Sequence, residues 1–208
     1  MMRFFDFLFP PRADELALRG VSADTFLALL APRLVPCTRP STTALLPFSD
    51  GAVRAAIHEA KYHGSEAAFN LLALSLAEYL LDADETSRTP VIVPVPLGAA
   101  RRKERGFNQT EEIARRTLRL LGEKHGLRLS LTTEMLTRTR ETASQVSLPR
   151  HLREENMRGA ISAAHPADPA HTYIVLDDVV TTGATLQAAS DALRSAGARH
   201  IVLLALAH

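Results

Sequence analysis

The chain has 208 residues, 46% of them hydrophobic, 23% charged and 5% aromatic, with a formal net charge of +1. That is enough apolar content for one domain with an appendage or for two small domains, and too even a charge for bulk attraction to nucleic acid or membrane. The single cysteine, Cys37, excludes an internal disulfide or a cysteine-built zinc site within one chain, and makes a reducing, cytoplasmic setting the expected one.

Taken in chain order, Phe4, Phe5, Phe7, Leu8 and Phe9 form an apolar patch interrupted by Asp6. It is too short to cross a bilayer and has no cleavage site after it, so neither a membrane span nor a signal peptide is expected. Ser22 is placed to cap a short helix carrying Phe26, Leu27 and Leu30, and Pro32, Pro36 and Pro40 then make an irregular connector. Residues 1–45 therefore read as a small, mostly helical appendage to a domain over 46–208. Val53, Ile57 and Ala60 recur at helical spacing, closed by Gly64. Ser65 opens a second helix with Phe69, Leu72, Leu76 and Leu80 on one face. Residues 89–95 are a short apolar strand, and Pro96 marks its exit. A helix is expected from Asn108 or Thr110 to Leu121, a weak strand over 134–138, a polar loop over 140–149, a helical turn near 150–156 and a small strand near Ala160. Residues 171–176 form a buried strand, 184–196 a helix ended by Gly197, and 201–207 a last buried strand. Strands alternating with helices argue an α/β fold with a parallel central sheet and flanking helices.

Three clusters carry chemistry. Tyr173 to Thr185 reads Tyr-Ile-Val-Leu-Asp-Asp-Val-Val-Thr-Thr-Gly-Ala-Thr. A strand ending at Leu176 would leave Asp177 and Asp178 facing solvent at the carboxyl end of the sheet, where open α/β folds bind ligands. Thr181, Thr182, Gly183, Ala184 and Thr185 can wrap a phosphate at a helix start. Taken singly, the acids are also an ordinary solvated strand end and the turn an ordinary helix cap. Together they suit a sugar phosphate bearing hydroxyls. In the second cluster, Val95, Pro96 and Leu97 lead into Arg101, Arg102, Lys103 and Arg105, then Gly106-Phe107-Asn108-Gln109. This is either a pyrophosphate site of backbone N–H groups and arginine forks or a solvated basic stretch. Phe107 in a polar loop needs a packing partner or a flat ligand. The third cluster holds Arg138, Arg140 and Gln145, either a lid over departing pyrophosphate or an exposed connector. Lys61 could reach a phosphate or simply favour a helix C-terminus. The eight histidines show no ligand spacing and read as surface or capping residues, and Cys37 as inert.

The first cluster resembles the signature of the type I phosphoribosyltransferases. All three, with Gly51-Ala-Val-Arg54 and His58-Glu-Ala-Lys61-Tyr62, resemble the competence protein F (ComF) family from about Gly51 to the end. The resemblance implies a type I phosphoribosyltransferase fold and a link to DNA uptake. That family normally carries four or more cysteines in a zinc ribbon ahead of this region, where this chain has Cys37 alone. As implied roles, Thr181 to Thr185 would hold a 5′-phosphate. Asp177 and Asp178 would hold ribose hydroxyls directly or through Mg²⁺, the expected cofactor, while Val95 to Leu97 and the arginines would take pyrophosphate from phosphoribosyl pyrophosphate. Single-stranded DNA or a competence helicase is the candidate macromolecular partner. A non-catalytic adaptor and a ligand sensor with the same fold are the alternatives to a pentosyl-transferring enzyme. The acceptor and the oligomeric state are not legible.

Overall fold

The structure is a computed structural model that describes residues 12–82, 89–125, 129–140, 157 and 159–208. The expected loop over 140–149 from residue 141 on, the turn at 150–156, the patch at 4–9 and Gln145 lie outside the described residues.

Two short helices, α1 (Ala13–Leu18) and α2 (Ala23–Leu27), come first, and Ser22 caps α2 by accepting the Thr25 N–H at 3.1 Å. Strands β1 (Arg33–Val35) and β2 (Thr42–Leu46) follow, then helices α3 (Gly51–His63) and α4 (Glu66–Asp82). Asp50 caps α3 by accepting from the N–H groups of Ala52 and Val53, and Gly64 ends it in the left-handed region at φ 60°. Next come β3 (Pro90–Pro94), α5 (Ala99–Arg105), α6 (Gln109–His125), β4 (Ser130–Leu131), β5 (Leu136–Arg138) and β6 (Ile161–Ala163). The chain closes with β7 (Thr172–Val179), α7 (Ala184–Ser195) and β8 (His200–Ala207).

The main sheet runs β1-β2-β8-β7-β3-β4, antiparallel only at β1–β2, and β5 pairs with β6 in a separate antiparallel ribbon. The α/β class with a parallel central sheet and flanking helices is therefore the one the sequence implied. The expected boundary at residue 45 falls inside β2, which pairs in parallel with β8 from Thr42↔Leu203 to Leu46↔Ala207. Residues 33–46 thus belong to the main sheet, and the appendage is not mostly helical throughout. Pro36 and Pro40 hid this, because they flank two strands too short to show alternation.

The core divides into two layers. One packs Phe26, Val53, Ile57, Phe69, Leu72, Leu76 and Ile113 against Ile92, Ile174 and Leu176. The other packs Leu186, Ala189, Leu193, Leu136 and Ile161 against Val91, Val93, Tyr173 and Val175. Strand side chains alternate between these layers. From β7 the chain crosses through α7 to β8 on one side; from β3 it crosses through α6 to β4 on the other. The connections diverge between β3 and β7, and such a switch point opens a crevice at the carboxyl ends of the strands.

Candidate functional site

A cavity of about 460 Å³ lies in that crevice, within the span usual for small-molecule sites. It is lined by Val95, Pro96 and Leu97 after β3, by Arg101 and Arg105 of α5, by Arg138, and by every residue from Asp177 to Leu186. Helix α3 supplies Arg54, Ile57, His58, Lys61 and Tyr62 to it, with Phe48 just ahead. Gln109 also lines it.

The acid pair is set differently from expectation. Strand β7 does not stop at Leu176 but runs to Val179, because the apolar end of β8 continues to pair with it at Asp177↔Ala205 and Val179↔Ala207. By alternation, Asp178 follows Ile174 and Leu176 toward the α3–α6 layer, while Asp177 follows Tyr173 and Val175. Asp178 is 6% exposed and fully partnered. Its Oδ2 receives Lys61 Nζ at 2.8 Å and Gln109 Nε2 at 2.9 Å, and its Oδ1 accepts the Val179 N–H at 2.8 Å. Burial alone would raise its pKa, but the Lys61 charge and these hydrogen bonds outweigh it and hold the carboxyl below the usual range. Asp177 is half-buried, and its Oδ1 accepts the Asp178 N–H at 2.9 Å. Burial first, and the neighbouring Asp178 charge second, push it up to about 7. Among the described residues no hydrogen bond reaches Asp177 Oδ2, so this is the carboxylate open to the cavity.

The turn over 181–185 begins α7. Gly183 sits at φ 75° as its N-cap, with no side-chain cap; the Thr182 hydroxyl makes only a long 3.4 Å contact with the Ala184 N–H. Backbone N–H groups at such an end suit an anion. The turn is backed by the β1–β2 connection: a Cβ on Gly183 would lie 2.5 Å from Thr38 Cγ2 and 2.7 Å from Cys37 Sγ. Thr38 is itself held by hydroxyl hydrogen bonds to Pro40 O and Thr42 Oγ1, each 2.7 Å, and Gln187 accepts the Arg39 N–H at 2.7 Å.

The arginines divide. Residues 99–105 form a helix rather than a loop, ended by Gly106 at φ 78°. Residues four apart share a helix face, so Arg101 and Arg105 reach the cavity while Arg102 turns to Glu111 at 3.8 Å and stays outside it. Arg105 donates to Gln109 Oε1 at 3.2 Å and lies 4.9 Å from the Tyr62 ring centroid. Phe107, expected as a ligand contact, does not line the cavity: it packs edge-on to Phe69, 5.8 Å between centroids, beside Gly64. Arg138 lines the cavity from the end of β5, whereas Arg140 is exposed and outside its lining. Lys61 does line the cavity, but as the partner of Asp178 rather than a cation exposed at a helix end.

Sequence reading did not assign Gln109, Arg54, His58 or Tyr62 to the site, although the motifs that contain them were in view, and it missed Phe48 altogether. The available signal was helical spacing: 54, 57, 58, 61 and 62 form one stripe. It also missed that His58, Glu59 and His63 gather ligand atoms within 4.8 Å of one another. Glu59, however, already binds Arg12 through both oxygens, at 2.8 and 2.6 Å, and this contact holds its carboxyl below the usual range.

A mainly parallel α/β sheet with a carboxylate pair and a glycine-threonine turn at its switch point places the chain among α/β proteins with a crevice at the carboxyl ends of the strands. No family model matches the chain. It is 35% identical over 175 residues to DNA utilization protein YhgH of Escherichia coli K12, covering 79% of this chain and 74% of that one. It is 35% identical over 146 residues to the Salmonella typhi protein of the same name, covering 68% and 61%, so it spans about three fifths of that relative's length. Competence protein F of Haemophilus influenzae is 31% identical over 118 residues, 56% of this chain and 49% of that one. Among solved structures, a hypoxanthine phosphoribosyltransferase from Staphylococcus aureus is similar at a TM-score of 0.39 and 15% identity, covering 66% of this chain and 61% of that one. The chain belongs to the competence protein F family, together with DNA utilization protein YhgH. Among the described residues no helix is long and apolar enough to cross a membrane.

Proposed function

We propose that this chain binds phosphoribosyl pyrophosphate with Mg²⁺ in the switch-point cavity, as a phosphoribosyltransferase-like protein serving DNA uptake or utilization. One observation carries the ligand: the Thr181–Thr185 turn at the start of α7, the Asp177 carboxylate and the cations Arg54, Lys61, Arg101, Arg105 and Arg138 all line a single cavity. Two carboxylates face those five cations, so the site favours a polyanion. The link to DNA rests on the names of the relatives.

The turn before α7 takes the 5′-phosphate on backbone N–H groups. Arg101, Arg105 and Arg138 take the diphosphate, where guanidinium forks match paired oxygens. Mg²⁺ bound with the donor supplies positive charge to the diphosphate oxygens. Asp177 fits such an ion because it keeps an open hard oxygen, whereas the oxygens of Asp178 are already taken. In transfer, the lone pair of an acceptor nitrogen forms a bond to the sugar C1. The C1–O bond breaks, its electron pair leaves with pyrophosphate, and a proton on the nitrogen passes to water. Asp177 stabilises the positive charge that develops on the sugar. Asp178, clamped by Lys61 and Gln109, keeps the end of β7 in register with the cavity.

Calorimetry with phosphoribosyl pyrophosphate and Mg²⁺ tests the reading. Wild type should give saturable heat that the paired Asp177→Asn and Asp178→Asn change removes. No heat in wild type, or unchanged heat in the variant, refutes it. The surplus of cations also favours an adaptor reading, in which the same surface binds single-stranded DNA or a competence helicase without turnover. A salt-dependent shift of single-stranded DNA that survives both Asp changes would select that reading.

A further inference from the structure

A separate polar cluster sits where helix α1 meets helix α3. Glu59 of α3 is fully buried, at 0% exposure, and a buried carboxylate needs a cation. Arg12, just ahead of α1, supplies one through both Glu59 oxygens, at 2.8 and 2.6 Å. Two imidazoles flank the same carboxylate. His63 lies one helical turn on, and His58 is the neighbour in sequence. Ligand atoms of the three residues all lie within 4.8 Å of one another.

An arginine–glutamate clamp between two helices accounts for Arg12 and Glu59 but not for the histidines. His63 Nε2 is 4.0 Å from Glu59 Oε1, too far for a hydrogen bond, so this imidazole takes no part in the clamp. His58 Nδ1 meets Asp14 Oδ2 at 2.8 Å, a carboxylate backing of the kind that fixes ligating histidines. Two imidazole nitrogens and one carboxylate oxygen are the donor set of an open zinc site, with a further position left for water. Hard ions such as Mg²⁺ prefer oxygen donors, which separates this cluster from the acid pair of the cavity. Zinc held at its usual bond lengths sets neighbouring ligand atoms roughly 3.4 Å apart. Reaching that spacing from 4.8 Å asks only for small rotations of His58 and His63, whose side chains are 49% and 32% exposed.

We propose that His58, Glu59 and His63 form a zinc-binding site in which the metal competes with the Arg12 guanidinium for the Glu59 carboxylate. Arg12 is then the resident cation, and its side chain, 47% exposed, has a way out to solvent. Zinc would exchange one tie between α1 and α3 for a hold on His58, which lines the cavity. The site stands apart from the phosphoribosyl reading, because Arg12, Glu59 and His63 do not line that cavity.

The test titrates Zn²⁺ into the chelator-treated full chain by calorimetry, with excess Mg²⁺ present to fill all-oxygen sites. Wild type should take up one equivalent. His63→Ala leaves the Arg12–Glu59 pair intact and should bind about tenfold or more weakly. Arg12→Lys keeps the charge but loses the fork onto both oxygens, so it should bind zinc several-fold more tightly. Cys37→Ser should bind as wild type does. Circular dichroism checks that each variant is folded. The site is overturned if wild type shows no saturable binding, if His63→Ala matches wild type, or if Cys37→Ser loses the metal. Equal or weaker binding by Arg12→Lys overturns the competition between the two cations.

Discussion

Replacing Gly183 by alanine would strike the turn proposed to hold phosphate from two directions. Gly183 holds φ 75°, and an L side chain there costs about 1–2 kcal/mol. The new Cβ would also stand 2.5 Å from Thr38 Cγ2, 2.7 Å from Cys37 Sγ and 3.2 Å from the Cys37 carbonyl oxygen. Thr38 cannot swing aside cheaply, because its hydroxyl bonds Pro40 O and Thr42 Oγ1 and its side chain is buried. Overpacking of that kind costs about 1–3 kcal/mol. The expected loss is therefore roughly 2–5 kcal/mol, a large share of the roughly 5–15 kcal/mol typical of a domain. Urea unfolding would read it as a lower midpoint with unchanged slope. Thr38→Ser removes the methyl nearest the new Cβ and keeps the hydroxyl, so Gly183→Ala should cost less in that background, by about 1 kcal/mol of coupling. Phosphate binding should weaken in the single variant and partly recover in the double. A Gly183→Ala protein within about 0.5 kcal/mol of wild type, or one whose loss ignores Thr38→Ser, would refute the idea that the β1–β2 connection buttresses the turn.

Other consequences are as direct. Lys61→Met leaves Asp178 buried without its cation and should cost about 2–3 kcal/mol near neutral pH, less than a fully buried pair because a quarter of the Lys61 side chain is exposed. The depressed pKa of Asp178 stabilises wild type above the ordinary carboxyl range and is lost as pH falls through it, so the gap between the two proteins should close in acid. A gap independent of pH would show that the pair is not what stabilises the strand end. Asp177, pushed up to about 7, is protonated below that value in the fold while ionised in the unfolded chain, so its effect on stability turns unfavourable as pH rises from about 4 to 7. Donor affinity with Mg²⁺ should rise through the same region and flatten in Asp177→Asn, as calorimetry across pH 6 to 8 would show. Arg138→Ala should weaken donor binding about tenfold or more, whereas Arg102→Ala, outside the cavity, should leave it within about twofold.

How much was legible in the chain depended on how far apart the determining residues lie. Strand β7, helix α7 and strand β8 are contiguous, and their apolar periodicity reads directly. The glycine-threonine turn between them joins a strand end to a helix start within a few residues, and it does line the cavity. The capping of α2 by Ser22 and of α3 by Asp50 and Gly64 is likewise local. The helix over the basic segment 101–105 was not legible for a related reason: its residues carry no apolar pattern, and its contacts reach α6, Arg102 to Glu111 and Arg105 to Gln109.

Residue types and short-range order were sufficient to determine the α/β class, the place of the acid pair at a strand end and the glycine-threonine turn at a helix start, because backbone hydrogen bonding, capping and apolar periodicity act over a few positions. Tertiary structure alone decided which acid is open. Asp178 is closed because Lys61, 117 residues earlier by the chain's own numbering, and Gln109 converge on it across three elements. It alone decided that β1 and β2 extend the sheet, that Phe107 packs against the core, and that Cys37 and Thr38 brace Gly183. Each of these follows from packing between distant segments, where alternation fixes only which face a side chain takes and the partner chain segment fixes what it meets there.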